Sequence, residues 1–133
     1  MGFPKITPGD TATIFIGSGA LTYSWYEGVE LRGIDHVGTS DDWALTFAAP
    51  DDVDRAGATF DGESTTRLRV DHESIMRAVR KIVDGRADGI NENGVVRAEC
   101  RKLIFKGADE VDFDAGTADC VIQVAAFGEC IYS

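Results

Sequence analysis

The chain is short of most things that would announce a chemistry. Cysteine is scarce: Cys100, Cys120 and Cys130 are odd in number and show no C-x-x-C spacing. That argues against a disulfide framework and for reduced thiols at apolar helical positions. The two histidines, His36 and His72, lie far from the cysteines in sequence, so a Cys/His zinc site has no local support. No Ser or Cys stands in a recognisable nucleophile context, and no cofactor fingerprint is present, so neither an enzyme nor a bound cofactor is expected. No segment approaches roughly 18 consecutive apolar residues, and Met1 to Gly9 lacks a basic start followed by an apolar run. A cytoplasmic protein with no signal peptide and no contact with membrane is the expectation. Basic charge is also short, at 13 Lys+Arg against 23 Asp+Glu for a net charge of -10. Nucleic acid is therefore not an expected partner.

What remains is an ordinary globular composition, 133 residues with 44% hydrophobic and 27% charged. This fits one domain spanning residues 1–133 that can bury a core without staples. The stretch from Asp114 to Gly128, D-A-G-T-A-D-C-V-I-Q-V-A-A-F-G, has its natural place in an interior. Asp114 suits an N-cap and Gly128 a left-handed C-terminal residue, so the span reads as a helix. Ala118, Val121, Ile122 and Ala125 recur on one face and Cys120, Val124 and Phe127 on the next, leaving Asp119, Gln123 and Ala126 to meet water. Burying Val121, Ile122, Val124 and Phe127 at roughly 1.5 to 3 kcal/mol each contributes on the order of 10 kcal/mol, comparable to a small domain's net stability. The other elements should wrap this helix.

Pro4, Pro8 and the Pro-Gly-Asp at 8–10 delay the first element. Thr11 to Ile16 alternates and reads as a strand, Gly17-Ser18-Gly19 as a hairpin turn, and Leu21 to Tyr26 as the return strand. Val29 to Arg32 continues past Gly28 through a bulge, and Trp43 to Ala48 and Thr65 to Val70 add two more strands. Asp71 then caps a helix carrying Ile75, Met76, Val79, Ile82 and Val83 and stopped by Gly85. Val95, Val96, Cys100, Leu103 and Ile104 trace a second helix ending near Gly107, and Glu129 to Ser133 adds a short final strand. The fold class is α+β: an N-terminal antiparallel sheet of four or five strands packed against three C-terminal helices, residues 1–70 mainly β and 71–133 mainly α.

Several constellations invite chemistry and have a plainer reading beside it. Gly17-x-Gly19 lacks the third glycine and the following helix of a phosphate loop. Asp52, Asp54, Gly57 and Glu63 occupy positions 1, 3, 6 and 12 of a calcium loop, but Ala56 and Phe60 replace two oxygen donors; a metal at Asp52, Asp54 and Glu63 stands against an acidic surface loop as the default. Asp112, Asp114 and Asp119 are explained by helix capping. His36 with Asp35, Asp41 and Asp42 is the best setting for acid-base work, though such loops are ordinarily just solvated. His72 beside Asp71 belongs to a first helical turn.

Charge is uneven. Residues 67–106 hold ten basic and six acidic side chains, a basic island in an acidic chain. Arg67, Arg69, Arg77, Arg80 and Lys81, with Arg97, Arg101 and Lys102 further along, make a candidate anionic-partner surface if they converge; i, i+4 pairing with Glu73 and Asp84 is the alternative. Tyr23, Trp25, Tyr26 and Trp43 divide between core and, where exposed, a recognition surface.

The pattern D-F-D-A-G-T-A-D-C-V-I-Q-V-A-A-F-G-E-C-I-Y at 112–132 resembles small uncharacterised proteins of actinobacteria and their phages. The excess of Arg (nine) over Lys (four) fits a GC-rich genome. The resemblance carries no functional motif and implies no site; on it, the location is a host cytoplasm or a virion. With no catalytic constellation, the sequence points to a non-enzymatic binding or interaction protein, an accessory or phage structural component with a protein partner or self-association. The alternative is an intracellular binding protein or enzyme for a small ligand, nucleotide-like or otherwise anionic.

Overall fold

The computed structural model describes residues 4–22, 27–34, 38–48, 59–61, 65–90 and 94–130. The first element starts on a capping box: Thr7 Oγ1 accepts from the Asp10 amide at 3.1 Å and Asp10 Oδ2 from the Thr7 amide at 3.0 Å, with Pro8 in the first turn. It forms α1 (Pro8–Thr11), which runs on into a π-helical turn (Ala12–Ile16); a 3-10 turn follows at Ala20–Thr22. The strand expected over Thr11 to Ile16 and the hairpin turn at Gly17 to Gly19 are therefore corrected. A strand would have shared the core face among Ala12, Ile14 and Ile16. The helical turn instead buries Thr11, Ala12 and Phe15 together and exposes Thr13. Packing outweighs the β-preference of Thr, Ile and Phe. Leu21 and Thr22, the start of the expected return strand, lie in the 3-10 turn instead, and its remainder, residues 23–26, lies outside the described residues.

The sheet is antiparallel, in the order β1-β2-β4-β3, with β1 (Glu27–Ile34), β2 (Thr39–Ala48), β3 (Thr59–Asp61) and β4 (Thr65–Asp71). Three strands fall where alternation put them, while β3 occupies a stretch read as a connection. Register explains the face: Leu45 opposes Val70 and Phe47 opposes Leu68, four buried side chains on one side, whereas Thr46 opposes Arg69 on the other. In β1 the pairing slips between Glu27 and Glu30, where the bulge at Gly28 was expected.

Three longer helices follow: α2 (His72–Val83) and α4 (Ala115–Phe127) pack on the sheet, and α3 (Val95–Lys106) packs on α2 and α4. α2 opens on Asp71, whose Oδ1 accepts from the Ser74 amide at 2.9 Å, and it buries Ile75, Met76, Val79 and Ile82. α4 opens on Asp114, which accepts from the Thr117 amide at 2.7 Å, and closes on Gly128 at φ 85°, a left-handed conformation that favours glycine. α4 is the hub, touching the π-helical turn, α2, α3 and β4. The three positions expected to meet water do not: Asp119, Gln123 and Ala126 are 7%, 0% and 5% exposed. Gln123 Nε2 donates to Asp119 Oδ2 at 2.7 Å, so these polar side chains are hydrogen-bonded to each other one turn apart inside the protein. The final strand is likewise reduced: Glu129 makes an isolated parallel bridge with Asp88, and residues 131–133 lie outside the described residues.

Candidate functional site

Among the nominated residues, the structure brings some together at the start of α2. Trp43 on β2 is fully buried, and its indole N–H donates to the Pro8 carbonyl at 2.7 Å. It is a core residue that leaves no ring surface for a partner, which corrects its nomination. Thr11 Oγ1 donates to the same carbonyl at 3.0 Å and lies 2.9 Å from His72 Nδ1, so α1, β2 and α2 are knotted at one point. Beside the knot, Asp41, Asp42, Arg69, Asp71 and Glu73 line a small cleft of about 240 Å3. Two of its acids, Asp71 and Asp42, are already engaged. Burial pushes the Asp71 carboxyl up, but the Ser74 amide and hydroxyl and the Arg69 guanidinium at 2.5 Å outweigh it and hold the group below the usual range. Asp42 accepts from the Ser40 hydroxyl, which lowers it in the same way. Among the described residues, no group of three or more His, Cys, Asp or Glu side chains is placed to hold a metal ion. His36 and Asp35, like Asp52, Asp54 and Glu63, lie outside the described residues.

Among the described side chains, the basic island does not gather on one patch. Arg69 is committed to Asp71 across the outer sheet face. The β4 backbone at Arg67 pairs with Ala48 and Thr59, while its side chain is outside the description. Lys81 reaches away, its Nζ donating to the Gly128 carbonyl at 3.0 Å where α4 ends. Arg97 does the same service for α2, donating to the Val83 carbonyl at 3.0 Å. Arg77 is exposed, and Arg80 lines an adjoining groove of about 340 Å3 with Pro4, Ile6, His72, Glu73, Met76 and Ile104. Tyr23, Trp25 and Tyr26 lie outside the described residues.

A denser arrangement sits on α3, where the sequence reading counted Arg101 and Lys102 among the basic residues but passed over Phe105. Cys100 and Leu103 are fully buried there, and Glu99, 6% exposed, accepts from Lys102 Nζ at 2.8 Å and from the Asp112 amide at 2.6 Å. Burial raises the Glu99 carboxyl, and these two donors more than reverse it, leaving it below its ordinary value. Val95, expected in the apolar stripe, is 63% exposed, and so is Phe105 at 48%. The Arg101 guanidinium carbon lies 5.7 Å from the Phe105 ring centroid, and Ala98, Lys102 and Lys106 complete a shallow groove of about 450 Å3. Ala98, Arg101, Lys102 and Phe105 follow the i, i+3, i+4, i+7 spacing of one helical face, so an aromatic among cations on a face with no core duty was the signal available.

Compared with known proteins, the chain matches no family model, no curated protein and no solved structure. Among the described residues, no helix is long and apolar enough to cross a membrane.

Proposed function

We propose that the protein is a non-enzymatic interaction protein, an accessory factor or phage structural component, that holds an acidic protein segment on the outer face of α3. The observation that supports this reading is Phe105, half exposed beneath Arg101 and flanked by Lys102 and Lys106. Aromatic and arginine side chains dominate binding energy at interfaces, and a cationic rim around an apolar anchor selects an acidic chain carrying an apolar residue. The chain as a whole carries a net charge of -10, so an acidic partner is drawn to a local cationic face rather than to the molecule at large. Its placement in a host cytoplasm or virion follows from the resemblance at 112–132. Capture from host extract with matched baits tests the reading: a partner retained by the wild type and by Arg77→Ala, lost by Arg101→Glu with Phe105→Ala, and released by salt is the expected result. Equal retention by the double variant defeats it. Light scattering distinguishes a second copy of this chain as the occupant.

A second reading, a small anionic ligand, is favoured by the groove in which Arg80 and His72, with the Glu73 carboxylate beside them, meet the apolar Pro4, Ile6, Met76 and Ile104. A nucleotide at 100 times its dissociation constant would stabilise the fold by about 2.7 kcal/mol in a thermal-shift screen, and Arg80→Ala would abolish the shift.

A further inference from the structure

Cys120 and Cys130 stand ten residues apart, yet their sulfurs are 2.8 Å from each other, with the Cys130 S–H directed at Cys120 Sγ. Neither residue is in a disulfide and both are only half-buried, whereas Cys100 is fully enclosed. The approach is built by the fold. Gly128 turns the chain back at the end of α4, its carbonyl is held by Lys81, and the Cys130 amide donates to the Asp88 carbonyl at 3.0 Å. Gly89, at φ +80°, lets the returning chain pass so close that a Cβ there would fall 2.1 Å from the Cys130 carbonyl oxygen. Residues 128–130 are thus laid back over α4 and against residues 88–89, and two thiols meet as a result.

We propose that Cys120 and Cys130 form a reversible disulfide site, oxidised by a small disulfide of the glutathione class, which locks the segment after α4 onto the 88–89 turn. Cys120, as thiolate, attacks one sulfur of the oxidant and expels a glutathione thiolate, giving a mixed disulfide. Cys130 then loses its proton and attacks the Cys120 sulfur, expelling the second glutathione. Two thiols lose two electrons, and their two protons leave on two molecules of reduced glutathione. The order of attack follows from the hydrogen bond: donation by Cys130 holds the Cys120 thiol below its ordinary range and pushes Cys130 up. Cys100 takes no part, because burial, with Glu99 and Cys120 nearby, pushes its thiol up to about 12.

The sequence makes the test clean. No Lys or Arg follows Lys106, so trypsin leaves both cysteines on the peptide 107–133 and Cys100 on the separate peptide 98–101. The folded protein is treated with oxidised glutathione, quenched in acid, unfolded, alkylated and digested. Peptide 107–133 should lose two hydrogens and resist alkylation until reduced, while Cys100 alkylates fully. Cys130→Ser should trap the intermediate as a glutathione adduct on Cys120. Both thiols alkylating in the wild type, a bond to Cys100 or to a second molecule, or no adduct in Cys130→Ser overturns the proposal. Amide exchange at 88–89 and 128–130 should slow by at least about tenfold on oxidation, since the crosslink removes open states; unchanged exchange overturns the lock.

Discussion

α3 and α4 are nearly equal in length, 12 and 13 residues, but they do opposite work. α4 is buried over most of its circumference, with Cys120 and Ala125 half-buried, and even its polar Asp119 and Gln123 are turned inward and hydrogen-bonded to each other. α3 packs one side, through Cys100 and Leu103, and gives the other to solvent with an aromatic and a row of cations on it. A helix packed on most of its sides has little surface left with which to recognise a partner. The peripheral helix, whose outer face is unconstrained by packing, is where recognition chemistry can be carried without cost to the fold.

That contrast breaks first where the effects are largest. Val121→Asp places a carboxylate at a fully buried position of α4 and should cost about 4 kcal/mol or more in urea unfolding, or prevent folding. The matching Val95→Asp on α3 should stay within about 0.5 kcal/mol. An unchanged midpoint for Val121→Asp would mean that α4 is not the hub.

Glu99 lies between the two regimes, on α3 but buried and bonded to the loop before α4. Glu99→Ala removes acceptors from Lys102 and the Asp112 amide and should cost about 1 to 3 kcal/mol by the same measurement. Its carboxyl is lowered in the folded state, so its contribution is complete above the ordinary value of 4.5 and is lost as pH falls through the lower folded value. Asp71 and Asp114, lowered from 3.8, act in the same direction. The unfolding midpoint should therefore fall with pH below about 4.5, and Glu99→Gln should flatten part of that slope. A midpoint rising with acid would reverse the sign and refute the assignment.

Thr11→Val removes the hydroxyl shared by the Pro8 carbonyl and His72 and should cost about 1 kcal/mol, with a displaced His72 ring resonance in NMR spectra. The smallest effect belongs to the outer face. Phe105→Ala should alter stability by no more than about 0.5 kcal/mol while weakening partner capture, and a large loss of stability would show that the ring serves the core.

Legibility followed periodicity and failed where a local signal had two meanings. Leu45, Phe47, Leu68 and Val70 alternate cleanly, and Ile75, Met76, Val79 and Ile82 keep helical spacing, so β2, β4 and α2 were readable. Asp114 and Gly128 marked both ends of α4, but its polar residues were assigned to water because nothing in sequence reveals that Asp119 will be paired by Gln123. Thr7-Pro8-Gly9-Asp10 was legible as a capping box with proline in the first turn, and it was read as a turn because the β-rich run behind it argued louder. The candidate site was the hardest part. Spacing along the chain says that Arg69, Arg80 and Lys81 are near in sequence, and only the fold sends them to Asp71, to a groove beside α1 and to the end of α4.

The Phe15 ring rests 4.8 Å, centroid to centroid, from that of Phe113. A ribosome adding roughly 5 to 20 residues each second makes the first ring wait on the order of 5 to 20 s for the second. During that interval the π-helical turn and the apolar side of β2 and β4 have been synthesised but α4 has not, so the nascent chain carries an uncovered half-core. Productive folding is thereby deferred until α4 emerges, and the aromatic face of the early sheet is what a trigger-type chaperone, or a neighbouring nascent chain, would meet first.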